Sequence, residues 1–398
     1  MNDWHQTLWQ AVDQRADELI AVRRHLHAHP EPSGEEFATT NYLRDRLAKS
    51  GINASVPTHG RGLVVDSADQ SAQRRVALRG DIDALLLADQ KLVDYRSRTA
   101  GVMHACGHDA HATCAYGAMV ALHDVASAGK LPGPLTWRGL LQPAEETATG
   151  AAEMIAAGAL EGVHSIFSLH VDPSRPVGTV GVRRRTFTAH CDAFRVEVEG
   201  VASHAARPHL AKDPIAAAAQ FVNLLYQQVP RGLDSQDAAV IAITQIHGGS
   251  ASNVIPDRVS MAGMIRALGS DVRNHVVGHV AQLAESVGLI TGTKIQVDFG
   301  VHIPGVENDP RLTDLMANVA GCLLGTDRVQ WIERPSMGGE DFAFFLEHVP
   351  GVMFRLGSAR DNILASGLHT PLFDIDERCL TIGAKLLATA VVEASLDS

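Results

Sequence analysis

The densest group of reactive side chains in the sequence is Met103-His104-Ala105-Cys106-Gly107-His108-Asp109-Ala110-His111. Cys106 and His108 stand two residues apart where a helix is predicted to open, so a thiolate and an imidazole can reach the same metal ion or adjacent ones. Three further segments end in possible ligands. Val76-Ala77-Leu78 runs into Gly80-Asp81-Ile82-Asp83, Leu140-Leu141 into Gln142-Pro143-Ala144-Glu145-Glu146, and Ile166-Phe167-Ser168-Leu169 into His170-Val171-Asp172. Singly, an acidic residue after a strand is ordinarily a turn residue or a helix cap; three such clusters in one sheet point to a shared site. The adjacent carboxylates Glu145 and Glu146 have a chemical logic of their own. Neighbours in a loop can point differently, so one can bind metal while the other stays free as a general base. The 20 histidines, against only 4 Trp and 4 Tyr, suit the same chemistry, because histidine is the commonest metal ligand.

Such clusters act together only if the fold converges them. Apolar runs predict strands at Arg75–Arg79, Pro134–Leu141 and Ser165–Leu169, and helical spacing predicts helices at Glu35–Ser50, Ala110–Ala128, Ala151–Leu160 and Leu312–Leu324. Residues 4–27 have the spacing of a first amphipathic helix. This alternation implies a mostly parallel sheet covered by helices on both faces, with the carboxyl ends of its strands lining one crevice. Near residue 190 the pattern changes: in Asp192–Glu199, Phe194, Val196 and Val198 alternate with Arg195, Glu197 and Glu199, as in a half-buried antiparallel strand. A helix at Pro214–Gln228, strands at Ala239–His247 and Asp257–Ala267, a helix at Asp271–Val287 and a strand at Lys294–Phe299 complete a βαββαβ order, the ferredoxin-like split βαβ unit. The chain therefore reads as an α/β domain of residues 1–187 and 302–398 with an inserted α+β domain at 188–301.

Composition narrows the function class. With 34 Lys+Arg against 45 Asp+Glu the formal charge is 34 − 45 = −11, which argues against nucleic acid or an anionic membrane as partner. The two longest stretches free of Asp, Glu, Lys and Arg, 238–256 and 214–230, are too interrupted by polar residues for a membrane span. Five cysteines spread singly, an odd count, and a start without a signal-peptide pattern suggest reduced thiols in the cytoplasm.

The motifs together resemble the metal-dependent amidohydrolases of the aminoacylase and carboxypeptidase group, in the branch of hippurate hydrolases and auxin-conjugate (indole-acetyl-amino-acid) hydrolases. The resemblance runs through nearly the whole chain: Arg24-His25-Leu26-His27 with His29-Pro30-Glu31, Arg79–Leu85, Met103–His111, Gln142–Glu146, Leu169–Pro173, Asn253–Asp257, Gly339-Glu340-Asp341-Phe342 and Leu368-His369-Thr370-Pro371. It implies a co-catalytic metallopeptidase-like sheet domain holding two divalent ions per subunit (Zn, Mn or Co) on Cys106, His108, Glu146, His170 and His369. By the same resemblance Glu145 is the general base, Asp81 and Asp83 orient a ligand histidine, and Asn253 and Arg266 hold a substrate carboxylate. His204, from the inserted lid and dimerisation domain, would stabilise the oxyanion, in its own or a neighbouring subunit. The implied reaction is hydrolysis of the amide bond of a small N-acyl amino acid, in a homodimer or higher homo-oligomer.

The sequence departs from the family pattern at Ala202-Ser203, where a glycine pair is usual, and at Leu86, Met264 and Gly339, where proline, threonine and serine are usual. None of these removes a ligand or the base. Dipeptidase or carboxypeptidase action on the same site is the alternative within enzymes. A metal-binding protein without catalysis and a cysteine hydrolase using Cys106 with His108 or His111 are the remoter ones.

Overall fold

The computed structural model of the chain describes residues 3–57, 59–70, 74–359 and 367–396. They form two compact units: residues 1–187, 307–334 and 341–398, and residues 188–306 with 335–340. Residues 302–306 and 335–340, assigned from sequence to the larger domain, thus fall with the smaller unit. The strand Lys294–Ile303 outruns its expected end, and Ser336 bridges Thr188.

The larger unit is built on an eight-stranded mixed sheet. Its centre runs Thr136–Gln142, Arg75–Asp81, Val163–Pro176 and Gly351–Ala359, neighbours all parallel. Ala54–Ser55 and Leu63–Asp66 extend it antiparallel on one side, and Val180–Val182 with Val329–Trp331 complete the other. The strands Arg75–Asp81 and Thr136–Gln142 are buried along nearly their whole length, as parallel strands covered on both faces are. Register aligns Asp81 with Gln142 and Arg79 with Ser168, and places Arg355 beside His170. The candidate ligand segments therefore leave the sheet at one edge.

Two helices dominate the packing around that sheet. His108–Ser127 is buried along most of its length. Arg378–Leu396 packs against it and against Pro310–Leu324. Length and composition alone would let Arg378–Leu396 cross a membrane, but most of its residues are buried in the protein core. The helix expected over residues 4–27 is two helices, Asp3–Asp13 and Ala16–Ala28. Between Val12 and Leu19 no large apolar residue anchors the chain to the core, and the Arg15 amide closes a shorter turn onto the Val12 carbonyl at 3.0 Å.

The smaller unit is a four-stranded antiparallel sheet in the order Ala239–Gly248, Arg258–Ala267, His190–Glu199, Lys294–Ile303, joined in the βαββαβ order. Phe194, Val196 and Val198 face a core shared with Phe221 and Leu225 of Pro214–Gly232 and with Val276 and Val280 of Ser270–Thr291.

Candidate metal centre

The site begins at the edge where the parallel strands end. His108 is the first residue of the His108–Ser127 helix, preceded by Gly107 at φ +90°. A Cβ at Gly107 would lie 2.4 Å from Val171 Cγ2, so glycine is required by both conformation and close approach. This turn aims Cys106 and His108 at the segments leaving the sheet.

Five side chains then converge. Cys106 Sγ lies 3.3 Å from His369 Nε2 and 3.5 Å from His170 Nε2. Glu146 Oε1 is 3.6 Å from His369 Nε2 and 3.8 Å from His108 Nε2. Of the four groups among the described residues with the spacing of a cation site, two share Glu146: Cys106–Glu146–His369 and His108–Glu145–Glu146. His108 Nε2 and Glu146 Oε1 are buried without a hydrogen-bond partner, which proteins rarely tolerate. A divalent cation held by these atoms would satisfy both, so the residues fit a metal.

The backs of the rings are fixed accordingly. His108 Nδ1 donates to Asp83 Oδ1 at 2.9 Å, and His170 Nδ1 donates to the Val171 carbonyl at 2.8 Å. Each bond sets the tautomer that leaves Nε2 as a lone-pair donor toward the cluster. His369 is more than half exposed and sits at φ +58°, its amide bonded to the Ala105 carbonyl at 2.8 Å. A non-glycine residue in that region signals a constrained local geometry.

Electrostatics follow burial and charge together. Burial alone would lower the pKa of His108, but the carboxylates of Asp81 and Asp83 outweigh it and hold the ring well above the ordinary histidine range. Burial raises the Glu146 carboxyl and pushes the Cys106 thiol well above its usual value. It lowers His170, with Arg355 adding to the effect. In this setting Cys106 is not an activated free nucleophile.

The carboxylate pair is split by its surroundings. Glu145 Oε1 accepts the Asp341 amide at 3.4 Å, and Oε2 lies 3.8 Å from His108 Nε2. Glu146 donates its amide to Asp83 Oδ2 at 3.0 Å and turns its side chain into the cluster. Asp81, expected to steady a ligand histidine, instead accepts His111 Nδ1 at 2.7 Å. His111 Nε2 accepts the Val171 amide at 2.9 Å, so both ring nitrogens are committed. Behind it, fully buried Arg79 donates to Asp81 at 2.6 Å, to Gln142 at 2.8 Å and to Asp341 at 2.9 Å. The sequence assigns no role of their own to Arg79 or Asp341, and gives His111 a place only in the cysteine-hydrolase alternative. The H-x-x-H spacing was a usable signal for His111, whereas nothing local joins Arg79 to a residue 262 positions away.

The other expected residues lie in the smaller unit. His204, exposed, sits on the two-residue strand Ser203–His204 paired with Val254–Ile255, and its Nδ1 accepts the Ala206 amide at 3.0 Å. Asn253 is exposed in the adjoining turn, where its carbonyl accepts the Ala205 amide at 2.9 Å. Arg266 Nη1 donates to the Met337 carbonyl at 2.5 Å and lies 3.5 Å from Cys191 Sγ. No carboxylate pairs with Arg266 among the described residues.

Residues 77–393 match the model of peptidase family M20/M25/M40. The N-acetyl-L-cysteine deacetylase of Bacillus subtilis is 37% identical over 95% of this chain and 86% of its own. The IAA-amino acid hydrolase ILR1-like 4 of Arabidopsis thaliana is 33% identical over 96% of this chain and 86% of its own. Among solved structures, the YXEP protein of Bacillus subtilis, described as a dinuclear metal-binding peptidase, superposes with a TM-score of 0.82. That match is 32% identical over 96% of this chain and 99% of the other.

Proposed function

The chain belongs to peptidase family M20/M25/M40 and is a hydrolase of that family; from that premise we propose that it cleaves the amide bond of small N-acyl amino acids. The observation that carries the reading is the adjacent pair Glu145 and Glu146. One aims an orphaned, buried oxygen at His108 and His369, and the other is held aside by a backbone amide.

Cys106, His108, Glu146, His170 and His369 are the proposed ligands of two divalent ions, Zn, Mn or Co. When bound, such ions supply Lewis acidity that polarises an amide carbonyl and acidifies a water molecule. Glu145 takes a proton from that water as its oxygen bonds to the acyl carbon. It returns the proton to the amine nitrogen as the C–N bond breaks, so a carboxylic acid and an amino acid leave. Asp83 holds His108 throughout. Arg266, with Asn253, would bind the α-carboxylate by charge-assisted hydrogen bonds, and the lack of a described acidic partner for Arg266 supports this. His204 would donate to the developing oxyanion. The five cysteines are all free thiols, in keeping with a cytoplasmic enzyme.

The test is a substrate panel on the metal-replete enzyme: N-acetyl, N-benzoyl and indolylacetyl amino acids beside dipeptides with a free α-amine. Acyl conjugates should be cleaved with the higher kcat/KM. Faster cleavage of the dipeptides would replace this reading with the peptidase one. Arg266→Ala should raise KM for acids and spare their amides, by about 1.5–3 kcal/mol for a charge-assisted bond.

A further inference from the structure

Ala144, directly before the two glutamates, has φ +52°, a left-handed conformation that alanine seldom adopts. Such a residue persists only where its surroundings over-determine it. Its carbonyl accepts the amides of Thr149 at 3.3 Å and Gly150 at 3.1 Å, and the Glu145 carbonyl accepts the Ala148 amide at 2.7 Å. A Cβ at Gly150 would stand 1.6 Å from the Pro143 oxygen, so the turn closes tightly on itself. The one backbone group of Ala144 pointing out of the turn is its N–H. It donates to Glu36 Oε1 at 2.8 Å.

Glu36 is fully buried, although it lies in the loop that precedes the helix Phe37–Lys49. A cap for that helix would be the ordinary explanation of an acidic residue there, but the side chain makes no capping bond. Its Oε1 also accepts the Gly34 amide at 2.9 Å, and its Oε2 accepts Arg61 Nη1 at 3.2 Å. Arg61 in turn reaches Glu153, on the helix Gly150–Ala156 that follows the turn, at 3.0 Å. Three residues before Glu36, Ser33 Oγ donates at 2.6 Å to Asp83 Oδ2, the oxygen that takes the Glu146 amide. The segment Ser33–Glu36 thus braces the turn of the carboxylate pair and the aspartate that orients His108.

We propose that Glu36 is a positioning residue: by holding the Ala144 N–H it fixes the turn that presents Glu145 and Glu146. The consequence for activity rests on the base and ligand roles assigned to that pair. Without an acceptor the buried amide would be left unpaired, and the turn would shift to find one.

Glu36→Gln and Glu36→Met separate the brace from bulk structure. Both keep the length of the side chain, and only Gln keeps an oxygen to accept the amide. In the metal-free protein, amide hydrogen exchange of a peptide covering 143–150 should quicken at least tenfold in Glu36→Met, with the helix 108–127 unchanged. Zn²⁺ affinity, titrated directly, and kcat should each fall by about 10- to 100-fold, the usual effect of losing an outer support of a ligand. KM should move less, and Glu36→Gln should restore all three to within a few-fold of wild type. A folded Glu36→Met with wild-type exchange, metal affinity and kcat, or a fall in Tm alone, overturns the brace, as does a Gln variant no better than Met. If Glu36→Met does not fold, Glu36→Asp draws the oxygen back by one methylene and should show the same signature; wild-type exchange there overturns the proposal. The exchange arm is independent of the roles of the pair. Quickened exchange together with a fully active Glu145→Gln would leave the brace standing and remove the base assignment.

Discussion

Glu145 and Glu146 are joined by one peptide bond and both approach His108 Nε2 to 3.8 Å, but the rest of their surroundings differ. Glu146 lies within 4 Å of two imidazoles and has a buried oxygen with no partner, while Glu145 is steadied by the Asp341 amide. Exchanging either for glutamine keeps shape and removes charge, so the two variants should fail differently. Glu145→Gln should retain metal near the wild-type content while kcat falls by about 10² to 10⁴, the scale of a lost general acid–base. Glu146→Gln should lose metal. Elemental analysis beside initial rates decides it, and the opposite pattern would exchange the two roles. Cys106, His108, His170 and the glutamate pair were legible as candidate ligands because each sits where a predicted element begins or ends, a local signal. What ordered them was not local. The choice between Asp81 and Asp83 depends on which ring each faces, and the Arg79–Asp341 contact joins distant parts of the chain.

At the scale of elements, the start of the His108–Ser127 helix is held by charges brought from elsewhere in the chain. Arg23, fully buried on Ala16–Ala28, donates to Asp109 at 2.8 Å and Asp374 at 2.7 Å, and lies 3.3 Å from Glu377. His27 Nδ1 donates to the same Asp109 oxygen at 2.7 Å, and Lys91 Nζ donates to His27 Nε2 at 2.7 Å. Burial would raise the Asp109 carboxyl, but Arg23 and His27 outweigh it and hold it well below the usual range. A depressed carboxyl stabilises the fold above its unfolded pKa and loses that contribution as pH falls through the folded one, so the acid limb should begin below about pH 4. Asp109→Asn should remove that share of the acid limb. At neutral pH it should cost about 3–5 kcal/mol, because breaking a buried pair strands the remaining charge. Urea unfolding with unchanged m-value checks it; a loss under 1 kcal/mol would mean that Asp374 and Glu377 suffice for Arg23. The elements themselves were largely readable, since period-2 and period-3.6 patterns are written locally: the strict alternation of Asp192–Glu199 appears as a strand with its even residues buried. The break at Gln14–Arg15 was hidden because the apolar spacing on either side is compatible with one continuous helix.

At the scale of the whole molecule, the open question is whether a site is complete within one chain. His204 is exposed, its Nδ1 accepts the Ala206 amide, and Nε2 therefore carries the proton as a ready donor. A donor that meets charge appearing only in the transition state affects kcat more than KM. His204→Ala should therefore cost about 10² to 10³ in kcat, the scale of one oxyanion donor. If His204 serves the site of a partner copy, mixing His204→Ala with Glu145→Gln subunits should bring activity back from two nearly inactive proteins. Each mixed dimer would then hold one site with both defects and one with neither. With random subunit exchange half the dimers are mixed, so recovery should approach about a quarter of wild-type activity. Sedimentation must first establish a dimer, and differently tagged subunits must show that exchange has occurred. A monomer in solution would end the shared-site reading. Exchange without recovered activity would return His204 to its own subunit or remove it from catalysis, and recovery near a quarter would assign each active site residues from two chains.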